Sequence, residues 1–459
     1  MKQREKLSSR LGFILLSAGC AIGIGNVYRF PIITGSYGGA IFVLIYVGFL
    51  ILLGLPAMTA EFSVGRAAQR SIATSFEALE KPRQKWHLMK YFGIAGNYLL
   101  MMCYTTISGW MLLYFFQYLS GSITKVPAED LPGVFQSVCC DNVWSVLLGT
   151  VVIIVACFLI CSLGLQKGVE RITKVMMIAL FVLMLGLVIY SLLLPGAGEG
   201  LKFYLIPSFE NIQQAGIWKV ISAAMGQAFF TLSIGIGSIA IFGSYIGKER
   251  RLLGEAVTVV SLDTAVAMMA GLIIFPACFT YIGGVPADAE AQGPLFLFTT
   301  LSSIFNAMPM GQLIGALFFL LMTFAAVSTV IAVFENIISF WLELTPLKRS
   351  TVAMINIGLM ILLSLPCVLG LNLWSGVQLF GMSIMDLEDF TVSKLMLPLG
   401  TLIYVVFCTS RYGWGWKNYY NEVNTGTKGL SVPRWIRPYM TFVLPVIILL
   451  VLSMTFLPI

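Results

Sequence analysis

The sequence predicts an all-helical protein that crosses a lipid bilayer many times, and three observations support this fold class. Hydrophobic residues make up 58% of the 459 residues, whereas charged residues make up only 11%. Apolar runs of about 20 residues, the length that one helix needs to cross a bilayer, recur along nearly the whole chain. Lysine and arginine residues cluster between these runs, as they do on the cytoplasmic side of membrane proteins.

The apolar runs predict eleven transmembrane helices. The predicted spans are 11–37, 39–65, 89–120, 143–163, 168–194, 217–246, 254–284, 309–342, 350–370, 391–410 and 438–457. With the N-terminus inside, the cytoplasmic segments are 1–10, 66–90, 164–174, 247–253, 343–349 and 411–437. They hold all of the 28 basic residues except Arg29, Lys125, Lys202, Lys219 and Lys394. The opposite orientation would violate the positive-inside rule, so the eleventh span places the C-terminus outside.

This distribution of charge argues against two other function classes. The net charge of +7 follows from the cytoplasmic loops, so we expect no nucleic-acid partner. Most of the nine cysteines lie in apolar runs, where they behave as small hydrophobic residues, and none has metal-site spacing. The single histidine, His87, lies in a charged loop. The sequence therefore predicts a protein that is not an enzyme.

The tetrad Ile-Gly-Ile-Gly occurs twice, in AIGIGN (21–26) and SIGIGS (233–238), within predicted spans one and six. The two tetrads start five spans apart, so the predicted halves are residues 1–194 and 217–410, with 438–457 as a peripheral span. An odd number of spans in each half inserts the second half upside down relative to the first. Gly-interrupted spans at corresponding places in two halves indicate an inverted-repeat transporter.

Each tetrad predicts a break in its membrane helix, because glycine destabilises helices and exposes the backbone. A bilayer tolerates exposed backbone only where protein or a water-filled cavity receives it. Freed carbonyls and half-helix ends can then bind an ion and a zwitterion. The alternative is that the glycines only let helices pack closely.

Asp263 is the clearest candidate ligand near the breaks. Counted from the cytoplasmic end of span seven, it lies about 13 Å into the membrane, and a carboxylate at that depth marks a functional site by default. A protonated Asp263 bonded to a neighbouring hydroxyl is the alternative. Ser328 and Thr329 offer hydroxyl oxygens within span eight, although such residues commonly bond to their own helix.

Two pairs of opposite charges could act as gates. Arg29 follows the first break on the outer side, and Asp389 opens span ten on the same side. Arg4 on the N-terminal tail and Glu343 at the end of span eight form the corresponding inner pair. Each pair alone is modest evidence, because surface ion pairs are common and weak.

Two of these stretches resemble the signatures of the neurotransmitter:sodium symporter family, in its bacterial amino-acid-transporting branch. SRLGFILLSAGCAIGIGNVYRFP (9–31) is similar to the family's span one, and GQAFFTLSIGIGSIAIFGSYI (226–246) to its span six. The resemblance covers spans one to ten. It implies the LeuT-type fold, a 5+5 inverted repeat of eleven helices in which spans one and six are unwound near the midplane. It also implies two Na⁺ sites and a central amino-acid pocket.

The resemblance also assigns residues to these sites. The first Na⁺ would be bound by the substrate carboxylate together with Ala21, Asn26, Thr231 and Asp263. The second would be bound by Gly19, Ile22, Ala325, Ser328 and Thr329. Tyr104 would hydrogen-bond the substrate carboxylate. The substrate pocket would be formed by Cys20, Ala21, Ile24, Gly25, Leu100, Tyr104, Phe230, Thr231, Ser233, Ile236, Thr329 and Val333.

Departures from the family pattern refine these expectations. Asp263 stands where many members carry Asn, and Ala267 where chloride-independent bacterial members often carry Glu. Chloride-dependent members need an anion beside the residues that match Tyr46, Gln227 and Thr231. Because the Asp263 carboxylate can supply that negative charge, we predict chloride independence.

Three further departures concern the substrate and the inner gate. Cys20 stands where an Asp would favour monoamines, so an amino acid with its own carboxylate is expected. Ile236 stands where Phe is common, which frees room for a hydrophobic or aromatic L-amino acid. Leu7 stands where an aromatic residue often anchors the inner gate.

The sequence thus predicts a plasma-membrane symporter that couples two Na⁺ ions to the uptake of one L-amino acid by alternating access. Its predicted partners are the amino acid and the lipid bilayer. Two alternatives remain open. A proton-coupled carrier of the same fold would use Asp263 as its titrating group, and a non-transporting membrane receptor would bind the ligand without uptake.

Overall fold

The computed structural model of the chain describes residues 5–208, 216–286, 289, 293 and 295–454. Helices make up its regular structure throughout these residues. Two isolated bridges, Arg250 with Lys428 and Leu379 with Met382, are the only β-type pairing in this described part of the chain. The predicted all-helical fold is therefore confirmed.

The helices follow one another in a simple order. The first pair, α1 (Arg10–Ala21) and α2 (Gly25–Ser36), meets at a bend of 56°. The long helices α3 (Ala40–Ala68), α4 (Trp86–Leu119), α5 (Val143–Ser162) and α6 (Leu165–Leu192) follow. The short helix α7 (Ala197–Leu205) precedes a second pair, α8 (Ile217–Thr231) and α9 (Ala240–Gly243). The remaining helices are α10 (Leu252–Ile282), α11 (Phe296–Ala307), α12 (Gly311–Leu344), α13 (Arg349–Gly370), α14 (Ile384–Thr409), α15 (Trp416–Val423) and α16 (Ile436–Met454).

Among the described residues, nine helices are long and apolar enough to cross a bilayer, and the α1–α2 pair makes ten if it forms one span. The α8–α9 pair does not enter this count, because each of its helices is shorter than a full span. The prediction of many membrane-type helices is confirmed. The number eleven and the depth of the breaks in a bilayer stay predictions.

The helix α12 forms the centre of the molecule. In its most apolar stretch 78% of the residues are buried, against 22% in α16. It packs against α4, α6, α1 and α5. The helix α6 instead exposes an apolar stripe with three- or four-residue spacing: Val175, Ile178, Val182, Leu185 and Ile189. Such a stripe is typical of a helix that faces lipid.

Both helix breaks lie inside this bundle. We call residues 22–24 the first break and residues 232–239 the second break. The side chains of Ile22 and Ile24 are buried in the first break, as are those of Leu232, Ile234 and Ile236 in the second. The exposed backbone at both breaks is therefore surrounded by protein. A break within a bilayer requires this, because lipid offers no hydrogen-bond partners to the backbone.

Candidate functional site

The first break is short and closely packed. The helix α1 ends at Ala21, Ile22 adopts an extended conformation, and helical geometry resumes at Gly25. Within the break, the Gly23 amide donates to Asn26 Oδ1 at 3.1 Å and the Ile24 amide donates to Tyr104 Oη at 2.9 Å. A Cβ atom on Gly23 would collide with the Tyr104 hydroxyl and lie 2.8 Å from Thr329 Oγ1. Glycine at this position therefore permits the close approach of α4 and α12 to the break.

The second break is longer and is held by side chains of α3. The backbone has positive φ angles at Ser233 (50°), Gly235 (106°) and Gly237 (84°). The Glu61 carboxylate accepts hydrogen bonds from the amides of Gly235 at 2.7 Å, Ile239 at 3.1 Å and Ala240 at 3.2 Å. A buried carboxylate thus takes up amides that the break leaves without helical partners.

The helix α4 also holds the second break, through one buried amide side chain. Asn97 Nδ2 donates to the Ile236 carbonyl at 2.8 Å, and Ser238 Oγ donates to Asn97 Oδ1 at 3.1 Å. Several polar groups at the second break are therefore bonded to fixed protein partners on α3 and α4.

Five oxygen atoms converge where α1 meets α12. Ser328 Oγ lies 3.1 Å from the Gly19 carbonyl oxygen and 2.9 Å from that of Ala325. Thr329 Oγ1 lies 3.2 Å from the Gly19 oxygen, 3.3 Å from that of Ile22 and 3.4 Å from that of Ala325. The structure therefore brings together all five residues predicted for the second Na⁺ site.

The cluster gathers oxygens from two helices. The Ala325 carbonyl is bonded to a backbone amide within α12, whereas the Gly19 and Ile22 carbonyls lie at the end of α1 and accept from the Ser328 and Thr329 hydroxyls. Hard cations prefer oxygen ligands, and for ligands about 2.4 Å from such an ion neighbouring oxygens at right angles lie about 3.4 Å apart. The observed separations of 2.9–3.4 Å approach that spacing, so the cluster fits a small hard cation.

Asp263 lies on α10 with its side chain fully buried. Asn26 Nδ2 donates to Asp263 Oδ1 at 2.8 Å and to the Asp263 carbonyl at 3.1 Å, and Thr231 Oγ1 lies 3.2 Å from Asp263 Oδ2. These hydrogen-bond donors are all neutral. A buried carboxylate that is bonded only to neutral donors is costly, and a cation beside it would offset that cost.

A small pocket lies between the two breaks. It is lined by Ala21, Gly23, Gly25, Leu100, Tyr104, Phe230, Thr231, Ser233, Thr329 and Leu397. Its volume is about 10 Å³, which is room for no more than about one water molecule. Eight of the twelve predicted substrate residues line this pocket. The other four, Cys20, Ile24, Ile236 and Val333, do not.

The four remaining residues lie outside the lining of this pocket, and Ile24 lines a larger neighbouring cavity. The Cys20 carbonyl accepts from Ser233 Oγ at 3.4 Å. Ile236 packs with Val392 and Leu397 behind the pocket, and Val333 is buried on α12. Sequence reasoning missed Gly23 and Leu397. The tetrad itself contains Gly23, whereas Leu397 lies in span ten and gave no signal.

A larger cavity of about 280 Å³ lies on the other side of Phe230 and Tyr104, which line both spaces. We call it the outer cavity; its wall includes Ile24, Tyr28, Arg29, Leu100, Cys103, Asp386, Glu388 and Asp389. The Arg29 guanidinium lies 4.3 Å from the centre of the Phe230 ring and 4.0 Å from Asp389 Oδ2. The predicted outer pair therefore meets above the small pocket.

Several carboxylates bind polar groups at the end of the bundle that the sequence predicts to be cytoplasmic. Glu343 accepts from the Ser71 amide at 2.6 Å and from Thr74 Oγ1 at 2.8 Å. Its predicted partner, Arg4, lies outside the described residues. Arg10 Nε lies 3.1 Å from Glu255 Oε1, and the Ser8 amide donates to Glu170 at 2.8 Å.

Two buried carboxylates near the breaks were not predicted from the sequence. Glu61 lies on α3, and Glu335 on α12 accepts from Tyr245 Oη at 2.7 Å and pairs with Arg349. Both lie within predicted spans, so the rule that singled out Asp263 would also have identified them.

The family model described as the sodium:neurotransmitter symporter family matches residues 4–140 and 137–459. The uncharacterized sodium-dependent transporter YhdH of Bacillus subtilis is 36% identical over 400 residues, which cover 87% of this chain and 86% of that protein. An uncharacterized sodium-dependent transporter of Haemophilus influenzae is 30% identical and covers 98% of both chains.

A solved structure is also similar. The crystal structure of MhsT in complex with L-phenylalanine matches with a TM-score of 0.86 and 36% sequence identity. The match covers 99% of this chain and 100% of that chain. The overall arrangement of helices is therefore shared along the whole length.

Proposed function

Because the chain belongs to the sodium:neurotransmitter symporter family, we propose that it is a symporter that couples Na⁺ entry to the uptake of an L-amino acid. The chain is a multi-pass, sodium-dependent membrane transporter with the LeuT-type fold. The amino-acid substrate, the number of ions and the independence from chloride are proposals. Three groups of contacts support them.

The oxygen cluster of Gly19, Ile22, Ala325, Ser328 and Thr329 is the observation that carries the proposal. The Gly19 and Ile22 carbonyls lie at the end of α1, where the helix leaves them without amide partners, and oxygens of α12 face them. A Na⁺ ion at this position would tie α1 to α12. Loss of this ion would free α1 to move away from α12.

We assign a second Na⁺ ion to Asp263. The ion would be bound by the Ala21 carbonyl, the Asn26 amide oxygen, Thr231 and the Asp263 carboxylate, with the substrate carboxylate completing the set. The Asn26 amide oxygen accepts from the Gly23 amide in the structure, so we expect this side chain to turn when the ion binds.

The substrate would occupy the small pocket after it expands. Its wall includes the side chains of Leu100, Phe230 and Leu397, and we propose that Tyr104, which also lines it, bonds the substrate carboxylate. An apolar wall favours a hydrophobic or aromatic side chain, and the similar transporter MhsT was crystallised with L-phenylalanine. We therefore propose a hydrophobic or aromatic L-amino acid.

Alternating access would follow from the inverted repeat. We propose that residues 1–194 and 217–410 form the two halves and that 438–457 is a peripheral span. We also propose that the protein lies in the plasma membrane, with its N-terminus in the cytoplasm and its C-terminus outside. Arg29 and Asp389 would close over Phe230 once substrate and ions are bound. Arg4 and Glu343 would separate to open the inner side.

Uptake into proteoliposomes from a panel of L-amino acids tests the proposal. We expect accumulation driven by an inward Na⁺ gradient, at equal rates in chloride and gluconate, and strongest for hydrophobic or aromatic amino acids. Accumulation that follows a pH gradient without Na⁺ would favour the proton-coupled carrier. Binding without accumulation would favour the receptor.

A further inference from the structure

The connection between α13 and α14 exposes a run of apolar side chains. All nine residues of the segment 373–381, LWSGVQLFG, are exposed, and none of them is charged. Five of the nine are large and apolar: Leu373, Trp374, Val377, Leu379 and Phe380. We call residues 373–381 the apolar loop. A contiguous exposed apolar surface of this kind marks a place where a protein contacts a partner or a membrane.

The apolar loop ends in a tight hairpin turn with an aromatic residue at its tip. The Leu379 amide donates to the Met382 carbonyl at 3.0 Å, and the Met382 amide donates to the Leu379 carbonyl at 3.0 Å. Between them Phe380 and Gly381 have φ angles of 54° and 76°, the combination found in a type I′ turn. Asn, Asp or Gly is usual where Phe380 stands, because a bulky side chain is strained at positive φ.

The strained residue is also the most exposed one. The side chain of Phe380 is 91% exposed, the greatest fraction for any large apolar side chain that the structure describes. The backbone strain therefore holds an aromatic ring away from the rest of the protein. Strain of this kind persists where the strained residue has a function.

The length of α13 gives the level of the apolar loop in a bilayer. The 22 residues of α13 span about 33 Å, close to the hydrocarbon thickness of about 30 Å. The exposed Lys348 precedes the helix at one membrane surface. Gly370 ends the helix and therefore lies at the opposite surface, three residues before the apolar loop. Exposed apolar residues such as Met354 and Leu362 cover the helix between these ends.

A neighbouring helix end indicates the same level. The helix α5 packs against α13, and Trp144 in its first turn is 78% exposed. Just before this helix, the Cys140 carbonyl accepts from Asn372 Nδ2 at 3.0 Å, so the two helix ends are tied together. Exposed tryptophans collect at the boundary between membrane and water. Trp144 and Trp374 therefore mark one boundary.

We propose that the apolar loop inserts into the interfacial layer of the bilayer, with Phe380 as its deepest side chain. It does so on the side of the outer cavity, because Asp386 and Asp389, shortly after the loop, line that cavity. Lipid fits this surface better than a protein partner does, since the surface continues the exposed apolar face of α13 and has no charged side chain.

The interfacial layer also suits the backbone of the loop. Turns bond the Trp374 amide to the Leu369 carbonyl and the Val377 amide to the Trp374 carbonyl, each at 2.8 Å. Irregular backbone is not tolerated in the hydrocarbon core, whereas the interfacial layer retains water for any group that these turns leave unbonded. The insertion goes beyond the proposed transport function and needs only that the chain lies in a bilayer.

Fluorescence quenching tests the insertion in proteoliposomes. Phe380→Cys and Glu129→Cys, an exposed position in the polar loop 121–142, are each labelled with an NBD fluorophore. Eight of the nine native cysteines are buried, and wild type treated alike gives the background. We expect lipids brominated near the headgroup to quench position 380, and aqueous iodide to quench position 129. Equal iodide quenching at both positions would overturn the proposal. Protection of position 380 from both quenchers would indicate a protein partner and would overturn it as well.

A second set of variants tests whether the apolar side chains drive the insertion. In the labelled Phe380→Cys protein, Trp374→Ser should weaken quenching by the brominated lipid and increase quenching by iodide. Leu373→Ser should act in the same direction. Gln378→Ser, at an exposed polar position of the same loop, is the matched control and should change neither. The melting temperature should stay the same in all three, because these side chains are exposed. An equal response of Gln378→Ser and Trp374→Ser would refute the proposal, whether or not the protein transports an amino acid.

Discussion

The two breaks lie at the same tetrad but differ in length and in the partners of their backbone. The first break covers three residues, 22–24, and the second covers eight, 232–239. At the first break, carbonyl oxygens of Gly19 and Ile22 converge on two hydroxyls. At the second break, backbone amides are bonded to the carboxylate of Glu61.

The carbonyl oxygens at the first break therefore form a surface that needs a ligand, whereas amides at the second break already have hydrogen-bond partners within the protein. Converging carbonyls are all acceptors, so only a cation or additional donors can neutralise them. The amides of Gly235, Ile239 and Ala240 have a permanent acceptor in Glu61, and Asn97 donates to the Ile236 carbonyl. The same Ile-Gly-Ile-Gly motif can therefore serve ion binding in one half and structural support in the other.

The largest expected effect concerns the carboxylate between the breaks. Asp263→Asn keeps the side-chain shape but removes its charge. Loss of one partner from a buried charge pair costs about 3–5 kcal/mol, so Na⁺-dependent uptake should fall more than about 100-fold in gluconate. Chloride should restore part of it. Full uptake in gluconate would remove Asp263 from the proposed ion site.

Glu61→Gln should separate structural support from ion binding. Glutamine offers one acceptor oxygen and places an NH₂ group among the amides of the second break, at a cost of about 1–3 kcal/mol. We expect the melting temperature of the purified protein to fall equally with and without Na⁺. Ser63→Ala, which loses a bond to the Ala60 carbonyl and a long contact with Cys408 Sγ, is the control. A fall that appears only with Na⁺ would contradict the comparison.

Thr329→Val should have the opposite signature. It removes one oxygen of the cluster while keeping the branched shape, so half-maximal uptake should need about tenfold more Na⁺. The lost hydroxyl also bonds the Gly19 and Ile22 carbonyls without the ion, so the melting temperature should fall somewhat without Na⁺, and added Na⁺ should raise it less than it raises that of the wild type. Thr323→Val on the same helix, whose hydroxyl bonds only to the Phe319 carbonyl, should leave the Na⁺ dependence as it is. Equal shifts in both variants would refute the assignment.

The smallest effect is expected at Leu397, which lines the small pocket and packs against Ile236. Leu397→Ala should shift the preference among apolar amino acids toward larger side chains by about tenfold. The half-exposed Leu399 on the same helix provides the control variant Leu399→Ala. Competition uptake measures both. An unchanged preference would mean that the second break does not shape the substrate pocket.

Local sequence was sufficient for some parts of the site and insufficient for others. The tetrads gave the positions of both breaks because glycine acts on the backbone where it stands. Asp263 was found because a carboxylate within an apolar run is conspicuous. Leu397 could not be found, since a single apolar residue in a membrane helix has no local signature.

The sequence by itself determined the class of the protein, its membrane-type helices and the places where two of them break. A bilayer forces every helix to satisfy its own backbone, so apolar length and glycine position can be interpreted segment by segment. Tertiary structure alone decided which oxygens meet. Ser328 lies 309 positions from the Gly19 carbonyl that it contacts, and only the packing of α1 on α12 brings the two together.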